Sequence, residues 1–278
     1  MRLEIAPAGP DGLASMLEWA AREGWNPGLD DAEPFHATDP DGFLLARLDG
    51  EPVGCISVVR YPGDFGFLGF YIVVPGHRGH GHGLALWRAG LAHLDGCNVG
   101  LDGVVTQQAN YRRSGFQLAH RNIRYGGTVA ARPLDDPRVV PLERVPFAEV
   151  LAYDRSCFGF ERRAFLERWI ARPRVAAGFV ERGRLLGYGV IRACRQGFKI
   201  GPLFADRADA AEALFLALAA EARGSQLFLD PPEPNGEAVA LARRHGLTPV
   251  FETARMYTRG DPGLPLSRIW GITTFELG

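Results

Sequence analysis

Residues 75–83 read PGHRGHGHG, with four glycines, three histidines and one arginine in nine positions. The neighbours on each side decide what such a run can do. Upstream, FLGFYIVV (67–74) is apolar, aromatic and β-branched, the composition of a buried strand. Downstream, LALWRAGLAHL (84–94) repeats Leu84, Trp87, Leu91 and Leu94 at spacings of three and four, the period of a helix packed on one face. A glycine-rich turn between a strand end and a helix start gathers unpaired N–H groups at the positive end of a helix dipole. Glycines let the backbone approach a phosphate without a Cβ in the way, and Arg78 adds a cation. Two plainer readings compete: an ordinary turn, and a metal site on His77, His80 and His82. No cysteine or acidic ligand stands near those histidines, which weakens the metal reading. The run lacks the G-x-x-x-x-G-K-S/T of a P-loop, and its glycines do not follow the first strand of a Rossmann unit.

The chain's 278 residues allow one large domain or two ordinary ones, and 46% hydrophobic with 23% charged residues is a globular composition. A net charge of -1 excludes a general attraction to nucleic acid or acidic lipid, so ligand choice falls to a local site. Cys55, Cys97, Cys157 and Cys194 show no C-x-x-C spacing; reduced, packed thiols are expected, and no metal. The N-terminus MRLEIAPAGPDGLA lacks the apolar core of a signal peptide, and no apolar run approaches the roughly 20 residues of a membrane helix. A soluble cytoplasmic protein is the expectation, with an enzyme as the default.

The second half lies over the first. LDGEPVGCISVV from Leu48 aligns with ERGRLLGYGVIR from Glu181 at a shift of 133. GFLGFYIVV from Gly66 aligns with GFKIGPLFA from Gly197, and SGFQLAHRNIRY from Ser114 with HGLTPVFETARM from His245, both at 131. At that shift Gly115 falls on Gly246 and Arg124 on Arg255. Three blocks in one order imply a duplication. The proline-rich seam ARPLDDPRVVPLERVP (131–146) suits an extended linker between domains at 1–130 and 147–278. Each half begins with a helix: Leu13, Met16, Leu17 and Ala20 share one face in the first, and FERRAFLERWIAR is read as its partner. A hairpin follows, with Asp49-Gly50 as its turn, then strands and helices in alternation. The fold class expected is α/β (α+β): two tandem modules, each a mixed, mostly antiparallel sheet flanked by helices.

The pattern R-x-x-G-x-G on Arg78, Gly81 and Gly83, together with NYRRSGF (110–116), resembles the GNAT acyltransferase superfamily over about residues 1–127. WNPG (25–28) and the C-terminal GITTFELG are similar to a subgroup with two modules, the second divergent. The resemblance implies acetyl-CoA, or another acyl-CoA, as co-substrate. Its pantetheine arm would lie along Tyr71, Ile72 and Val73, and its pyrophosphate on Arg78 and the N–H groups of Gly79, His80, Gly81, His82, Gly83 and Leu84. Tyr111 stands where the family keeps its general acid. The asparagine usual seven residues earlier is Val104 here, with Asn110 as a stand-in. The acceptor pocket would be shaped by the loop after the first helix, with Trp25, Asn26 and Asp30 leading and Asp31, Glu33 and His36 beside them. In the second module Arg78, Gly81, Gly83 and Tyr111 fall on Asp209, Glu212, Leu214 and Ala242, so two carboxylates would repel a pyrophosphate there. The implied function is acetyl transfer to a small-molecule or peptide amine by direct attack on the thioester. The alternative is a non-catalytic acyl-CoA sensor; nucleic acid and membrane are not expected partners, and a homodimer stays open.

Overall fold

The computed structural model describes residues 2–130 and 135–278. The chain starts with strand β1 (Leu3–Pro7), helices α1 (Gly9–Arg22) and α2 (Ala32–Thr38), and strands β2 (Phe43–Leu48), β3 (Glu51–Tyr61) and β4 (Phe65–Val73). Helix α3 (His82–His93), strand β5 (Asn98–Val104), helix α4 (Gln108–Arg113) and strand β6 (Gln117–Thr128) complete the first repeat. The second repeat runs β7 (Val139–Pro141), α5 (Phe147–Phe158), α6 (Arg163–Trp169), β8 (Val175–Glu181), β9 (Arg184–Ala193) and β10 (Phe198–Ala205). It ends with α7 (Ala208–Glu221), β11 (Gln226–Leu229), α8 (Gly236–Arg244), β12 (Thr248–Tyr257) and a last strand, β13 (Ile269–Gly271). Asp49 (φ 50°) and Gly50 (φ 93°) both take left-handed backbone, as the two-residue β2–β3 turn requires.

The mixed, largely antiparallel sheet between helices matches the class read from sequence, but the two halves share one sheet. Its order is β1-β2-β3-β4-β5-β12-β6-β11-β10-β9-β8-β7, with β13 added against β10. The final strand of each repeat has crossed over: β12 inserts between β5 and β6, and β6 pairs with β11. Parallel pairing occurs at β4–β5 and β10–β11. Among the described residues no helix is long and apolar enough to cross a membrane.

Three details differ from the sequence reading. The counterpart of α1 is α5, and FERRAFLERWIAR contains α6, the counterpart of α2. The stretch YDRSCFGFERR (153–163) has the polar letters of a solvated loop, yet the side chains of Asp154 and Arg162 are fully buried and paired at 2.7 Å, with the guanidinium 3.9 Å over the Phe158 ring. The linker 131–146 holds β7, which pairs with β8 as β1 pairs with β2, so extended connection gives way to sheet by Val139. Residues 131–134 of that stretch lie outside the described residues.

The crossing is fastened by two buried bidentate ion pairs. Arg255 on β12 donates to Asp102 on β5 (Nε–Oδ1 2.8 Å, Nη2–Oδ2 2.6 Å), joining the second repeat to the first. Arg124 on β6 donates to Asp230, just past β11 (2.8 Å for both contacts), joining the first to the second. None of the four side chains is more than 4% exposed. Burial pushes the Asp230 carboxyl up, but the Arg124 charge and hydrogen bonds outweigh it and hold the pKa below the ordinary carboxylate value. Removing one partner strands the other charge in the interior. Asp230→Ala is therefore expected to lower the unfolding free energy by about 3–5 kcal/mol, read from the midpoint of a urea transition.

Candidate active site

Strands β4 and β5 run parallel from Phe65↔Asn98 to Leu68↔Leu101 and then part. The parting follows from a bulge in β4: Cys55 faces Ile72 and Ser57 faces Gly69, so Phe70 and Tyr71 together oppose Ile56. Phe70 takes φ 44°, a left-handed value that a non-glycine residue holds only under local constraint. The Cys55 thiol donates to the Phe70 carbonyl at 3.1 Å, and burial pushes its pKa far up, so it packs the bulge as a neutral group. All four cysteines are free and buried.

A cavity of about 530 Å³ opens where the strands separate. Residues 68–73 of β4 and 101–104 of β5 form its sides, with Tyr111, Thr106, Gln107, Arg78 and Glu23 toward α3. Trp25, Phe251, Thr253, Phe275 and Glu276 line it as well. The last four belong to the second repeat. Phe70 and Ile72 pack in the core that holds α1 and α5, whereas Tyr71 packs with Trp87 and Tyr111 on the α3 side, so the cavity passes through the sheet from one face to the other.

The glycine-rich run ends at the mouth of this cavity. Residues Pro75–His77 make one tight turn, Gly79 and Gly81 take φ 82° and 84°, and the Ala85 N–H closes on the Gly81 carbonyl to begin α3. Among the described residues, the N–H groups of Gly79, His80, Gly81, His82, Gly83 and Leu84 meet no protein acceptor. A Cβ on Gly83 would lie 2.8 Å from the Tyr71 hydroxyl and 3.3 Å from Val73 Cγ2, so a side chain there would displace the cavity wall. Six free donors at the head of a 12-residue helix fit a diphosphate. His77, His80 and His82 stand with ring centres 6.1–6.2 Å apart in consecutive contacts. Among the described residues, no three His, Cys, Asp or Glu side chains converge as metal ligands. Arg78 does not lie over the amides: its Nε donates to the Val73 carbonyl (2.8 Å) and its Nη2 to Glu23 (2.6 Å). Leu84 and Asn110 are exposed, and the Asn110 amide donates to Gln107 within the same turn.

Tyr111 is buried at the end of α4, its ring stacked on Trp87 at 5.8 Å. Burial, with a smaller push from Tyr71, raises its pKa to about 12, so the phenol is neutral through the physiological range. The acceptor-loop residues part company. Trp25 lines the cavity, its carbonyl held by Arg124 Nη1 at 2.9 Å. Asn26 and Asp30 do not. The Asn26 amide is committed to Gln196 in both directions (3.0 and 2.8 Å), clasping the β9–β10 hairpin, and Asp30 is exposed with its carbonyl on Arg174. Asp31 is buried against the Gly28 N–H, and Glu33 and His36 line a separate groove beside Arg168. Motif reading missed Thr106 and Gln107, ordinary polar letters in the turn between β5 and α4, and Phe251, Thr253, Phe275 and Glu276, which are so distant in sequence that they leave no local pattern.

Two family models match the chain: the Acetyltransferase (GNAT) family over residues 11–116 and an Acetyltransferase (GNAT) domain over residues 150–269. The holothin acyltransferase of Pseudoalteromonas sp. (strain SANK 73390) is 32% identical over 275 residues, 98% of this chain and 93% of that protein. This chain is a member of the GNAT acetyltransferase family. A Pyrococcus horikoshii structure assigned as an acetyltransferase superposes with a TM-score of 0.83 at 25% identity, covering 99% of this chain and 96% of that one. A tandem GNAT protein from the clavulanic acid biosynthesis pathway shares the fold over 94% of this chain and 99% of its own (TM-score 0.65, 15% identity).

The second GNAT repeat differs from the first in a way that constant-shift alignment obscured. Eight residues (74–81) join β4 to α3, but two (206–207) join β10 to α7. The loop is shortened, and Asp209 and Glu212 fall inside α7, paired with Arg207 and Arg244. The acids are thus a consequence of the missing loop and do not occupy a cradle. Ala242, opposite Tyr111 in the alignment, is buried in α8. The gap beyond the paired segment of β10 and β11 is filled by the chain itself: β13 pairs with β10 at Leu203↔Gly271 and Phe204↔Ile269. Coenzyme A is expected to titrate calorimetrically at one equivalent per chain. Gly83→Ala, by placing a methyl group among the free amides and displacing the Tyr71 and Val73 side chains of the cavity wall, is expected to weaken that binding at least about tenfold, a loss of about 1.4 kcal/mol.

Proposed function

We propose that this GNAT protein is an N-acyltransferase that moves an acyl group, with acetyl as the first candidate, from acyl-CoA to the amine of a small molecule. The observation that carries this reading is a single cavity that has Arg78, Tyr71 and Val73, next to the six unpaired amides, and Trp25, Phe70, Phe251 and Phe275 all in its lining, with Tyr111 on the same wall. The free edges of β4 and β5 beyond Leu68 and Leu101 suit the amide groups of a pantetheine arm, along Tyr71, Ile72 and Val73. The amides of Gly79–Leu84 suit its diphosphate. Arg78 can leave Glu23 for that anion at small cost, because their pair is half exposed and such pairs contribute about 0–1 kcal/mol.

Bound acyl-CoA would supply the activated acyl group as a thioester. An N–H of the bulged segment of β4 polarises its carbonyl, a fixed dipole in a site shielded from water. The neutral Tyr111 phenol gives its proton to the leaving sulfur. The acceptor chamber has Trp25, Phe70, Phe251 and Phe275 among its walls, which favours a compact amine with an apolar body over a peptide. A relative matched over nearly its whole length is named for holothin, which makes holothin the first acceptor to try.

The test is thiol release from acetyl-CoA with a panel of small amines, holothin included. Tyr111→Phe keeps the ring on Trp87 and removes the donor; kcat is expected to fall about 10²–10⁴-fold while coenzyme A affinity stays within about twofold. A wild-type protein that binds acetyl-CoA tightly and transfers to no amine in the panel overturns the reading in favour of an acyl-CoA sensor.

A further inference from the structure

Three carboxylates line the cavity: Glu23, Asp102 and Glu276. Glu23 is paired with Arg78. Both oxygens of Asp102 are held by Arg255, and one also accepts from Asn122 at 2.8 Å. Of the three, Glu276 is the one whose carboxylate meets no hydrogen-bond or ion-pair partner among the described residues, although the residue is only 4% exposed. A buried carboxyl without a protein partner on the wall of a cavity is a costly arrangement unless a ligand completes it.

The position of Glu276 is set with care. Its main chain packs on Gly69, where a Cβ would come within 2.8 Å of the Glu276 Cα, so β4 admits the tail only because this residue has no side chain. On one side of it, Thr273 accepts from Arg162 at 2.9 Å, and Arg162 is itself locked to Asp154. On the other, the Leu277 carbonyl accepts from the Tyr61 hydroxyl at 2.9 Å, and the Leu277 N–H donates to Thr274 at 3.0 Å. Glu276 is therefore held between two pinned neighbours, directly against the bulge that bears the polarising N–H. Gly69 and Phe70 face the α1–α5 core, whereas Tyr111 packs on α3, so the two groups reach the cavity from opposite faces of the sheet.

Resting on the N-acyltransferase reading above, we propose that Glu276, carried in by the C-terminal tail of the second repeat, is the catalytic base that takes a proton from the acceptor's ammonium group. The ammonium gives one N–H proton to the carboxylate, which frees the lone pair. The C–N bond then forms and the C–S bond breaks; the sulfur takes the Tyr111 proton, and a second N–H proton, passed through solvent, restores the phenol. One acylated amine, one thiol and one released proton result from each ammonium and thioester. The surroundings suit a base of raised strength. Burial lifts the Glu276 pKa above the usual carboxyl value and Asp31 adds to the lift, while Lys199 on β10, Arg124 on β6 and Arg192 on β9 oppose it and keep the charged form within reach.

Glu276→Gln keeps the shape and removes the base. It is compared with wild type on two acceptors: an alkylamine, which is an ammonium at neutral pH, and an arylamine, which is already neutral. For the alkylamine, kcat/KM at neutral pH is expected to fall about 10²–10⁴-fold, and to recover as the pH rises toward the amine's own pKa. For the arylamine it is expected to stay within about threefold. Coenzyme A affinity and the thermal midpoint serve as readouts of structure and should not move. Equal losses on both amines, or no loss on either, overturn the assignment while leaving acyl transfer by the wild type intact. Absence of transfer by the wild type removes both readings together.

Discussion

The exchange of last strands between the two repeats is the constraint from which the rest of the molecule follows. Once β12 lies between β5 and β6, neither half can close its own sheet, and the surfaces left by the exchange must match. The match is charged and reciprocal. Arg255 reaches Asp102 across one boundary and Arg124 reaches Asp230 across the other, each with two hydrogen bonds in planar geometry. A buried pair of this kind adds little net stability over an apolar contact of equal size, but it penalises wrong partners heavily, because a slipped register leaves both charges unpaired. The pairs therefore select the crossed arrangement over two separate modules. Arg124 also carries part of the site: its third nitrogen holds the Trp25 carbonyl, and its face lies 4.6 Å from the Phe275 ring.

The same asymmetry that closes one groove lines the other. In the second repeat the strand gap is occupied by β13, where main-chain hydrogen bonds to β10 replace those a pantetheine arm could make. Directly after β13 the chain turns, with the Ile272 N–H bonded to the Asp230 carbonyl, and enters the first repeat. There Phe275 and Glu276 join the lining of the cavity. One segment of ten residues thus fills the duplicate groove and furnishes the original.

How much of this the sequence discloses depends on the range of each signal. The strand, turn and helix around Gly81 and Gly83 were legible because three neighbouring patterns agree within thirty residues. The duplication was legible too, and aligning Arg124 with Arg255 marked the two residues that fasten the halves, though not their partners. Asp102 and Asp230 look like ordinary polar letters until the exchange of strands brings an arginine to each. The helix α5 went unread because Asp154 interrupts its apolar face, and only its pairing with Arg162 lets it be buried. Asn26 drew attention as a pocket residue for its polarity and loop position; its real partner, Gln196, is 170 residues away. The acceptor chamber was illegible for the same reason: half of its aromatic wall comes from the other repeat.

This geometry also explains why a repeat that has lost its phosphate loop persists. If the second repeat merely stabilised the first, its contribution could be confined to β12 and the Arg255–Asp102 pair. Instead it also delivers Phe275 and Glu276, from beyond β12, to the cavity. The side with the free amides is built almost wholly from the first repeat: β4, the glycine-rich turn, α3 and Tyr111. Duplication has thereby divided one task between two copies of a fold. On the function proposed above, the copy with the free amides fixes the cofactor and stays constrained by it. The copy released from that duty is then free to vary the far wall of the cavity, so on the same reading acceptor choice can change without disturbing the amides proposed for the diphosphate.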